Sequence, residues 1–304
     1  MIRYLLFFVV TVAVPNIATA TTFTATKNLS FGTLIPSSTS GSVVIGLNGS
    51  INTNGTATVA PSGTAYYAGQ AVYTGSGLSN VANIVTMTFL SSSVTLSNGS
   101  GGTVTVNNFT ITPNLQVSLL NPSATANVGG TMNFTSASIP GNYTGSVQIQ
   151  ASSLLGGTAT VTLPITLTLW RPLSVSQTTA MTFGGIEARG GNSVVTLLPQ
   201  NGTRTVQSGQ SGVNLIASKP GAAGVFSITG NPNTAVTITL PSTATLTGPG
   251  AAMTVNNFTR TPAGDNSTLN SSGTMTLRVG ASLNINTAQA AGTYNGTYNI
   301  TVSY

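Results

Sequence analysis

The stretch GTYNGTYNITVSY, from Gly292 to Tyr304, alternates regularly in polarity. Residues of one parity are two glycines and five apolar or aromatic residues, whereas those of the other parity are all Thr, Asn or Ser. This period of two predicts a β-strand with one buried side and one side in solvent. Chain termini usually fray unless something ties them down, so we expect another strand to cover the apolar side.

Two copies of one sequence pattern follow each other along the chain. TVNNFTITP (Thr105–Pro113) returns as TVNNFTRTP (Thr254–Pro262), with one difference in nine residues. Two other stretches also return, LSFGTL (29–34) as MTFGGI (181–186) and VGGTMNFTSASIPGNYTG (128–145) as VGASLNINTAQAAGTYNG (279–296). The copies lie about 150 residues apart, so the repeated unit is a whole domain rather than a short solenoid repeat.

Each copy consists of short alternating runs rich in Thr and Val, broken by Gly, Asn, Pro and Ser, without a helical period. The pattern predicts an all-β protein of two tandem immunoglobulin-like or jelly-roll-like β-sandwich domains. The predicted domain limits are 21–170 and 171–304. A Thr-rich β-solenoid is the alternative, but a solenoid requires a short, even repeat, and the sequence shows none.

The first 20 residues have the features of a secretory signal peptide. Arg3 precedes an apolar run from Tyr4 to Val14, and Ala18-Thr19-Ala20 is a typical cleavage site. We expect cleavage after Ala20, with export through the inner membrane to the periplasm and then to the cell surface or the extracellular space. A membrane anchor is the alternative, but this apolar run is too short to span a bilayer, and no later segment is long enough.

Composition argues against several classes of function. Eight Lys or Arg and two Asp or Glu give a net charge of +6, and the cations are dispersed, so no nucleic-acid partner is expected. The absence of His and Cys excludes a Ser-His-Asp triad, a cysteine nucleophile and a typical zinc site. We therefore predict no enzyme activity, no catalytic residues, no cofactor and no metal. Glu187 and Asp265 are interpreted as solvated loop acids rather than as a glycosidase pair.

The two copies differ after the repeated region. The first copy continues with GTATVTLPITLTLW (157–170), in which Thr alternates with apolar residues, whereas the second copy reaches Tyr304 without a counterpart. The apolar positions predict a strand with which the first domain completes itself: Val161, Leu163, Ile165, Leu167 and Leu169. The second domain either lacks its last strand or is a finished sandwich with another strand order.

The tandem FG, TVNNF and GTYxGxY motifs resemble those of a bacterial pilin-like domain of unknown function. That family is related to spore coat protein U and to common-pilus subunits of the chaperone–usher class. The resemblance implies a sandwich without its last strand, whose groove is filled by a periplasmic chaperone and then by a strand of another pilin-like subunit. Six residues match the strand that borders this groove: Gly292, Tyr294, Tyr298, Ile300, Val302 and Tyr304. The match is imperfect, because Tyr304 stands last where the pilin tyrosine is usually penultimate.

Together these features predict an exported structural or adhesive subunit of a fimbria-like appendage. The segment 21–28 alternates poorly and makes a weak donor strand, and this fits the tip of a fibre. An autonomous cell-surface or coat-like binding module that does not polymerise is the alternative. Tyr66, Tyr67 and Tyr73 are a candidate receptor face for a host or surface glycan, with packing in the core or at a strand edge as the other interpretation.

Overall fold

The computed structural model describes residues 21–37, 40–78, 80–135, 138–155, 157–264 and 266–304. The predicted signal peptide and Asp265 lie outside the described residues. Throughout these ranges the regular structure is β-strand, and no helix is long and apolar enough to cross a membrane.

The described chain divides into two compact units, which we call the first and second domains. One ends at Leu169 and the other runs from Trp170 to Tyr304, and two short pieces beginning at Ile35 and at Val59 group with the second.

The described residues of the first domain form fourteen strands. They are β1 (Thr22–Lys27), β2 (Leu29–Pro36), β3 (Gly41–Ile45), β4 (Ile51–Asn52), β5 (Ala57–Val59), β6 (Tyr66–Tyr67), β7 (Gly69–Thr74), β8 (Asn83–Phe89), β9 (Ser93–Ser97), β10 (Thr103–Ile111), β11 (Leu115–Val117), β12 (Ser123–Phe134), β13 (Gly141–Ser153) and β14 (Gly157–Leu169). Hydrogen bonds connect them in the order β1-β7-β12-β10-β9-β13-β14-β2-β5. Further strands pair alongside this path: β3 pairs with β12 and β4 with β3, β8 pairs with β13 and β11 with β8, and β6 pairs with β2.

Twelve strands are present in the part of the second domain that the structure describes. They are β15 (Ser174–Thr179), β16 (Ile186–Ala188), β17 (Ser193–Leu197), β18 (Arg204–Val206), β19 (Val213–Leu215), β20 (Gly224–Thr229), β21 (Ala235–Thr239), β22 (Thr243–Leu246), β23 (Met253–Thr261), β24 (Asn266–Thr268), β25 (Thr274–Ile285) and β26 (Thr301–Ser303). The main sheet has the order β15-β20-β25-β17-β18, and β23 pairs with β25 and β22 with β23. A three-stranded sheet, β24-β21-β26, and the pair β16-β19 complete the domain. The predicted all-β class with two tandem sandwich-like domains is confirmed.

The repeated TVNNF motif marks the same irregularity in both domains. The register shifts between Asn107 and Thr110 where β10 pairs with β12, and between Asn256 and Thr259 where β23 pairs with β25. Asn108 has a φ of 46°, and its counterpart Asn257 has a φ of 48°. Asparagine tolerates this left-handed conformation better than most residues, so the repeated Asn serves a β-bulge rather than a binding site.

The cores of the two domains are organised differently. In the first domain the buried apolar side chains form one cluster, which includes all five predicted apolar residues of β14. In the second domain they form two clusters, one containing Val255 and Leu283 and the other containing Phe226 and Leu277. Phe258 is partly buried against both clusters. The undivided core therefore belongs to the domain that contains β14.

We predict that the first domain depends on β14 for its stability. Leu163 is fully buried, and Leu163→Ala leaves a cavity that should cost about 2–5 kcal/mol of the free energy of unfolding. Urea unfolding of the full chain, followed by circular dichroism, should show one weakened transition. Thr162→Ala, at the exposed neighbouring position, should change that transition by about 0.5 kcal/mol or less. Equal effects of the two substitutions would contradict this role of β14.

Candidate functional site: an open groove in the second domain

In the first domain, β14 lies between β13 and β2. It pairs antiparallel with β13 along its whole length, with Leu167 opposite Tyr143, Leu163 opposite Val147 and Val161 opposite Ile149. It pairs parallel with β2, starting at Ile165 opposite Leu29. The candidate self-completing strand is thus a central strand in this structure, and its five predicted apolar side chains are at most 6% exposed.

The second domain has no strand at the corresponding position among the described residues. β26 pairs only with β21, Asn295 forms a single bridge with Thr247, and residues 296–300 are not in a strand. The register of Val302 opposite Ile238 matches that of Ala151 opposite Met87. The prediction of a continuous strand from Gly292 to Tyr304 is therefore wrong in its extent, because no neighbouring strand completes the ladder on the other side.

Burial of the side chains shows the effect of the missing strand. By the repeat alignment, Tyr143, Val147, Ile149 and Ala151 of β13 correspond to Tyr294, Tyr298, Ile300 and Val302. The four side chains in β13 are fully buried. Their four counterparts are only half-buried, although all are apolar or aromatic. All four positions are apolar or aromatic in both domains, so the lower burial in the second domain reflects the lack of a covering strand, even though Tyr298 and Val302 are larger than Val147 and Ala151.

The uncovered position is a groove of about 840 Å³. One wall is residues 181–188, the counterpart of β2, and the other is residues 289–298. The floor is apolar and comprises Ala244, Leu246, Met253, Val255, Leu283 and Ile285. In the first domain, β14 lies between the counterparts of these walls.

Arg204 holds the first wall in place. Its guanidinium donates to the backbone carbonyls of Phe183 and Gly185, at 2.8 Å each, and of Ile216 at 2.9 Å. Gly184, between the first two, has a φ of +66°, like Gly32 of the repeated FG motif at +73°. Only glycine adopts this conformation at little cost, so the motif shapes the backbone of the wall.

Tyr294, in the second wall, and Tyr304, directly after β26, anchor this last segment of the chain through their hydroxyl groups. Tyr294 Oη donates to the carbonyl of Ala290 at 2.9 Å, as Tyr143 Oη does to that of Ile139. Tyr304 Oη donates to the carbonyl of Arg171 at 2.5 Å and accepts from the amide of Asn231 at 2.6 Å. Two of the six predicted acceptor residues are therefore structural anchors of the strand.

Gly296 allows the second wall to pass close to β22. A Cβ atom at this position would overlap the carbonyl oxygen of Thr245 and crowd Leu246. Its counterpart Gly145 makes a similar close approach to Leu96. Gly292, also predicted as an acceptor residue, has a φ of +149°, and a Cβ there would meet Pro249. These two glycines contribute backbone geometry rather than contact surface.

Tyr298 is the aromatic residue at the centre of the second wall. Its ring packs on Phe258, at 5.3 Å between centroids, and edge-to-face on Phe226, at 6.2 Å. Its hydroxyl group is buried and has no hydrogen-bond partner among the described residues. Burial raises the pKa of Tyr298 from 10.0 to about 12, because the charged phenolate is disfavoured away from water.

The candidate receptor face in the first domain is not a single surface. Tyr73 is fully buried and donates to the carbonyl of Gly157 at 2.6 Å, so its assignment to an exposed face is wrong. Tyr67 is half-buried and donates to Asn28 Oδ1 at 3.0 Å, with Lys27 Nζ 4.1 Å from its ring centroid. Tyr66 is 37% exposed. A receptor role for the two tyrosines of β6 stays a prediction.

The charged residues form no reactive cluster in the described part of the chain. Glu187 pairs with Arg189 at 3.1 Å on the surface, with both side chains about half exposed. A hydrogen bond from Asn214, followed by the contact with Arg189, lowers the pKa of Glu187. The described residues contain no group of three or more His, Cys, Asp or Glu side chains that would hold a metal ion.

The sequence predicted the second wall of the groove but neither the first wall nor the floor. The first wall and the floor include Met181, Phe183, Leu246 and Met253, which come from separate parts of the chain. A signal was available, since MTFGGI repeats LSFGTL and the first copy of this stretch pairs with β14. Arg204 is one of only eight Lys or Arg residues in the chain, but nothing in its neighbourhood indicates which carbonyls it binds.

We predict that Arg204 stabilises the first wall. A lysine has one ammonium group and cannot reproduce the planar, three-way contact, so Arg204→Lys should lower the free energy of unfolding of the second domain by about 1–3 kcal/mol. Arg189→Lys is the matched control, because exposed ion pairs contribute about 0–1 kcal/mol. Urea unfolding of the full chain provides the measurement. An unchanged second-domain transition in Arg204→Lys would contradict the assignment.

We also predict a pH dependence that comes from Tyr298. Below pH 10 the phenol is neutral in the folded and unfolded chain, whereas between pH 10 and about 12 the unfolded chain ionises first. The wild type should therefore lose stability relative to Tyr298→Phe as the pH rises through this window. At neutral pH, Tyr298→Phe should be neutral or stabilising, since it removes a buried hydroxyl without a partner. Tyr294→Phe removes a hydrogen-bonded hydroxyl and should lower the free energy of unfolding of the second domain. Identical unfolding profiles of the two variants across this pH range would refute the prediction.

Comparisons with known proteins give low overall similarity to solved structures. A comparison with curated protein sequences gave no match. One similar structure is the CsuC–CsuE chaperone–tip adhesion subunit complex of archaic chaperone–usher Csu pili from Acinetobacter baumannii. The identity is 11%, the TM-score is 0.30, and the match covers 78% of this chain and 91% of that chain.

Two further structures were found. A chaperone–tip adhesin complex of CFA/I fimbriae biogenesis matches at 11% identity and a TM-score of 0.25, over 75% of this chain and 85% of that chain. The secreted serine protease VesC from Vibrio cholerae matches at 8% identity and a TM-score of 0.21, over 91% of this chain and 50% of that chain.

A sequence family described as "Domain of unknown function (DUF4402)" matches the chain twice, over residues 21–152 and 173–304. β14 lies between the two matched stretches. The two matches together cover most of the chain and confirm the prediction of a tandem domain of unknown function. The chain belongs to the DUF4402 family and contains two copies of its domain.

Proposed function

We propose that this chain is an exported, non-enzymatic subunit of a bacterial surface appendage whose second domain accepts a β-strand from another subunit. The observation that carries the proposal is the position of β14. In the first domain β14 fills the space between β13 and β2, and the second domain has an open groove with an apolar floor between the counterparts of these strands. Strand addition to an open edge is a common mode of protein association.

The first domain supplies the expected geometry of the incoming strand. Such a strand would run antiparallel to residues 292–304 and parallel to residues 181–186, as β14 runs beside β13 and β2. Its alternate apolar side chains would lie opposite Tyr294, Tyr298 and Ile300, since Leu167, Leu163 and Val161 lie opposite their counterparts. The partner is therefore a strand of about nine or more residues with apolar side chains at every second position.

The gain in free energy would be large enough for a stable assembly. Burial of about five apolar side chains contributes roughly 8–15 kcal/mol before the costs of association. The backbone ladder would also satisfy the unpaired groups of residues 296–300. Without a partner, the same edge would favour aggregation, and a periplasmic chaperone that fills the groove before assembly fits this requirement.

The first domain offers no free donor strand, which fits a chain that accepts a strand but donates none and therefore lies at the end of a fibre. The strand β1 (Thr22–Lys27), which begins two residues after the predicted cleavage site at Ala20, already pairs with β7 of its own domain. It is therefore occupied in this structure rather than available as a donor strand. The proposal includes an adhesive role for the first domain, with the exposed Tyr66 in its contact surface.

Binding of synthetic strands to the full chain from Thr21 to Tyr304 tests the proposal. Two peptides with the alternating pattern are used, one copying residues 157–169 and one with alanine in place of Leu163. A third peptide of the same composition, with the two parities exchanged, is the control. At least one alternating peptide should bind and raise the second-domain unfolding temperature, and the control peptide should do neither.

A pair of variants locates the binding site. Met181→Glu places a charge in the first wall and should weaken binding by tenfold or more, because the carboxylate would have to lose its water. Thr254→Glu, at an exposed position next to the floor, should leave binding unchanged. If neither alternating peptide binds and the second domain still unfolds cooperatively, the autonomous surface module replaces this proposal.

A further inference from the structure

The two domains differ in what fills the space above an equivalent glycine, Gly69 in β7 and Gly224 in β20, which lie opposite the repeated Val128 and Val279. In the first domain, a Cβ atom built on Gly69 would meet the side chain of Leu163 at 2.8 Å and Leu29 Cβ at 3.3 Å. In the second domain, a Cβ atom built on the counterpart Gly224 would overlap Tyr298 Oη and lie 3.4 Å from Met181 Cβ. Because Met181 is the counterpart of Leu29, the two sites coincide, and the Tyr298 hydroxyl occupies the position of a β14 side chain.

This difference follows from the size of the residue at one position, which is Val147 in the first domain and Tyr298 in the second. β13 carries the small Val147 opposite the large Leu163 of β14. The second domain carries the much larger Tyr298 where the first has Val147. Directly opposite side chains in an antiparallel pair share one space on the same face of the sheet. A close-packed core cannot accommodate both Tyr298 and a leucine there without strain.

The position of Tyr298 is fixed by its neighbours. The ring lies between Phe226 and Phe258, with centroid distances of 6.2 and 5.3 Å. Gly224 leaves room for the hydroxyl group, and any larger residue there would displace it. Moving the ring aside would break both aromatic contacts, so the incoming strand must adapt to Tyr298 rather than the reverse.

We propose that Tyr298 determines which strand the second domain accepts, and that it selects a strand with a small side chain opposite itself. The inference rests on the proposed function and adds the specificity of the partner. A strand with leucine or a larger residue at this position is disfavoured. The chain's own β14 carries Leu163 there, so the second domain rejects β14 of the same chain and of a second copy. The same residue that narrows the groove thus limits exchange of strands between identical chains.

The two alternating peptides, which differ only in Leu163 or alanine, measure this preference with the full chain. The wild type should bind the alanine peptide at least tenfold more tightly than the leucine peptide. Tyr298→Val introduces the residue that the first domain has, and should reverse the preference. Ile300→Ala is the matched control, because it enlarges the neighbouring space and should weaken both peptides without changing their ratio.

The outcomes separate this inference from the proposed function. Equal binding of both peptides, or tighter binding of the leucine peptide to the wild type, would overturn the role of Tyr298 and leave the acceptor groove intact. If neither peptide binds, both the proposed function and this inference are overturned. The wild-type ratio is itself decisive if Tyr298→Val fails to fold, and Tyr298→Leu then supplies an intermediate size.

Discussion

A central strand of a sandwich needs backbone partners on both sides and a cover for its apolar side chains, and β14 meets these needs in the first domain. It pairs with β13 over its whole length and with β2 from Ile165 onward. Its buried side chains join the rest of the domain into a single core. In the second domain the counterparts of the β13 side chains remain half-buried, and the core is in two clusters. The last strand is only Thr301–Ser303.

The second domain keeps the walls of its groove in place by other interactions. Arg204 binds the carbonyls of Phe183 and Gly185 in the first wall and that of Ile216 directly after β19. These contacts hold the first wall in place without the strand pairing that its counterpart β2 has with β14. Tyr294 in the second wall and Tyr304 after β26 fix this segment by donating hydrogen bonds to backbone carbonyls. A preorganised groove loses less entropy when a strand enters it, so these contacts favour binding as well as folding. Tyr298 has a different role, because it occupies space that a partner would otherwise use.

Several features were predictable from sequence because they depend on local periodicity. The alternation in residues 157–169 and the repeat of TVNNF are patterns along one stretch of chain, and both correspond to defined elements in the structure. The tyrosine segment of the first domain was less predictable. Tyr66, Tyr67 and Tyr73 are close in sequence, but only the first two belong to β6, and Tyr73 points into the core from β7. Closeness in sequence did not indicate which side of the sheet each ring would face.

The all-β class, the duplication and the additional alternating strand of the first copy are properties of residue order, so they can be read from the sequence. The position of β14 between β13 and β2, and hence the groove between residues 181–188 and 289–298 of the second domain, depends on the folded arrangement of the strands. The tertiary structure also placed the Tyr298 hydroxyl over Gly224, at the site that Leu163 fills over Gly69. The physical reason is that walls, floor and filling side chain come from segments distant along the chain, and their contacts depend on strand order and register.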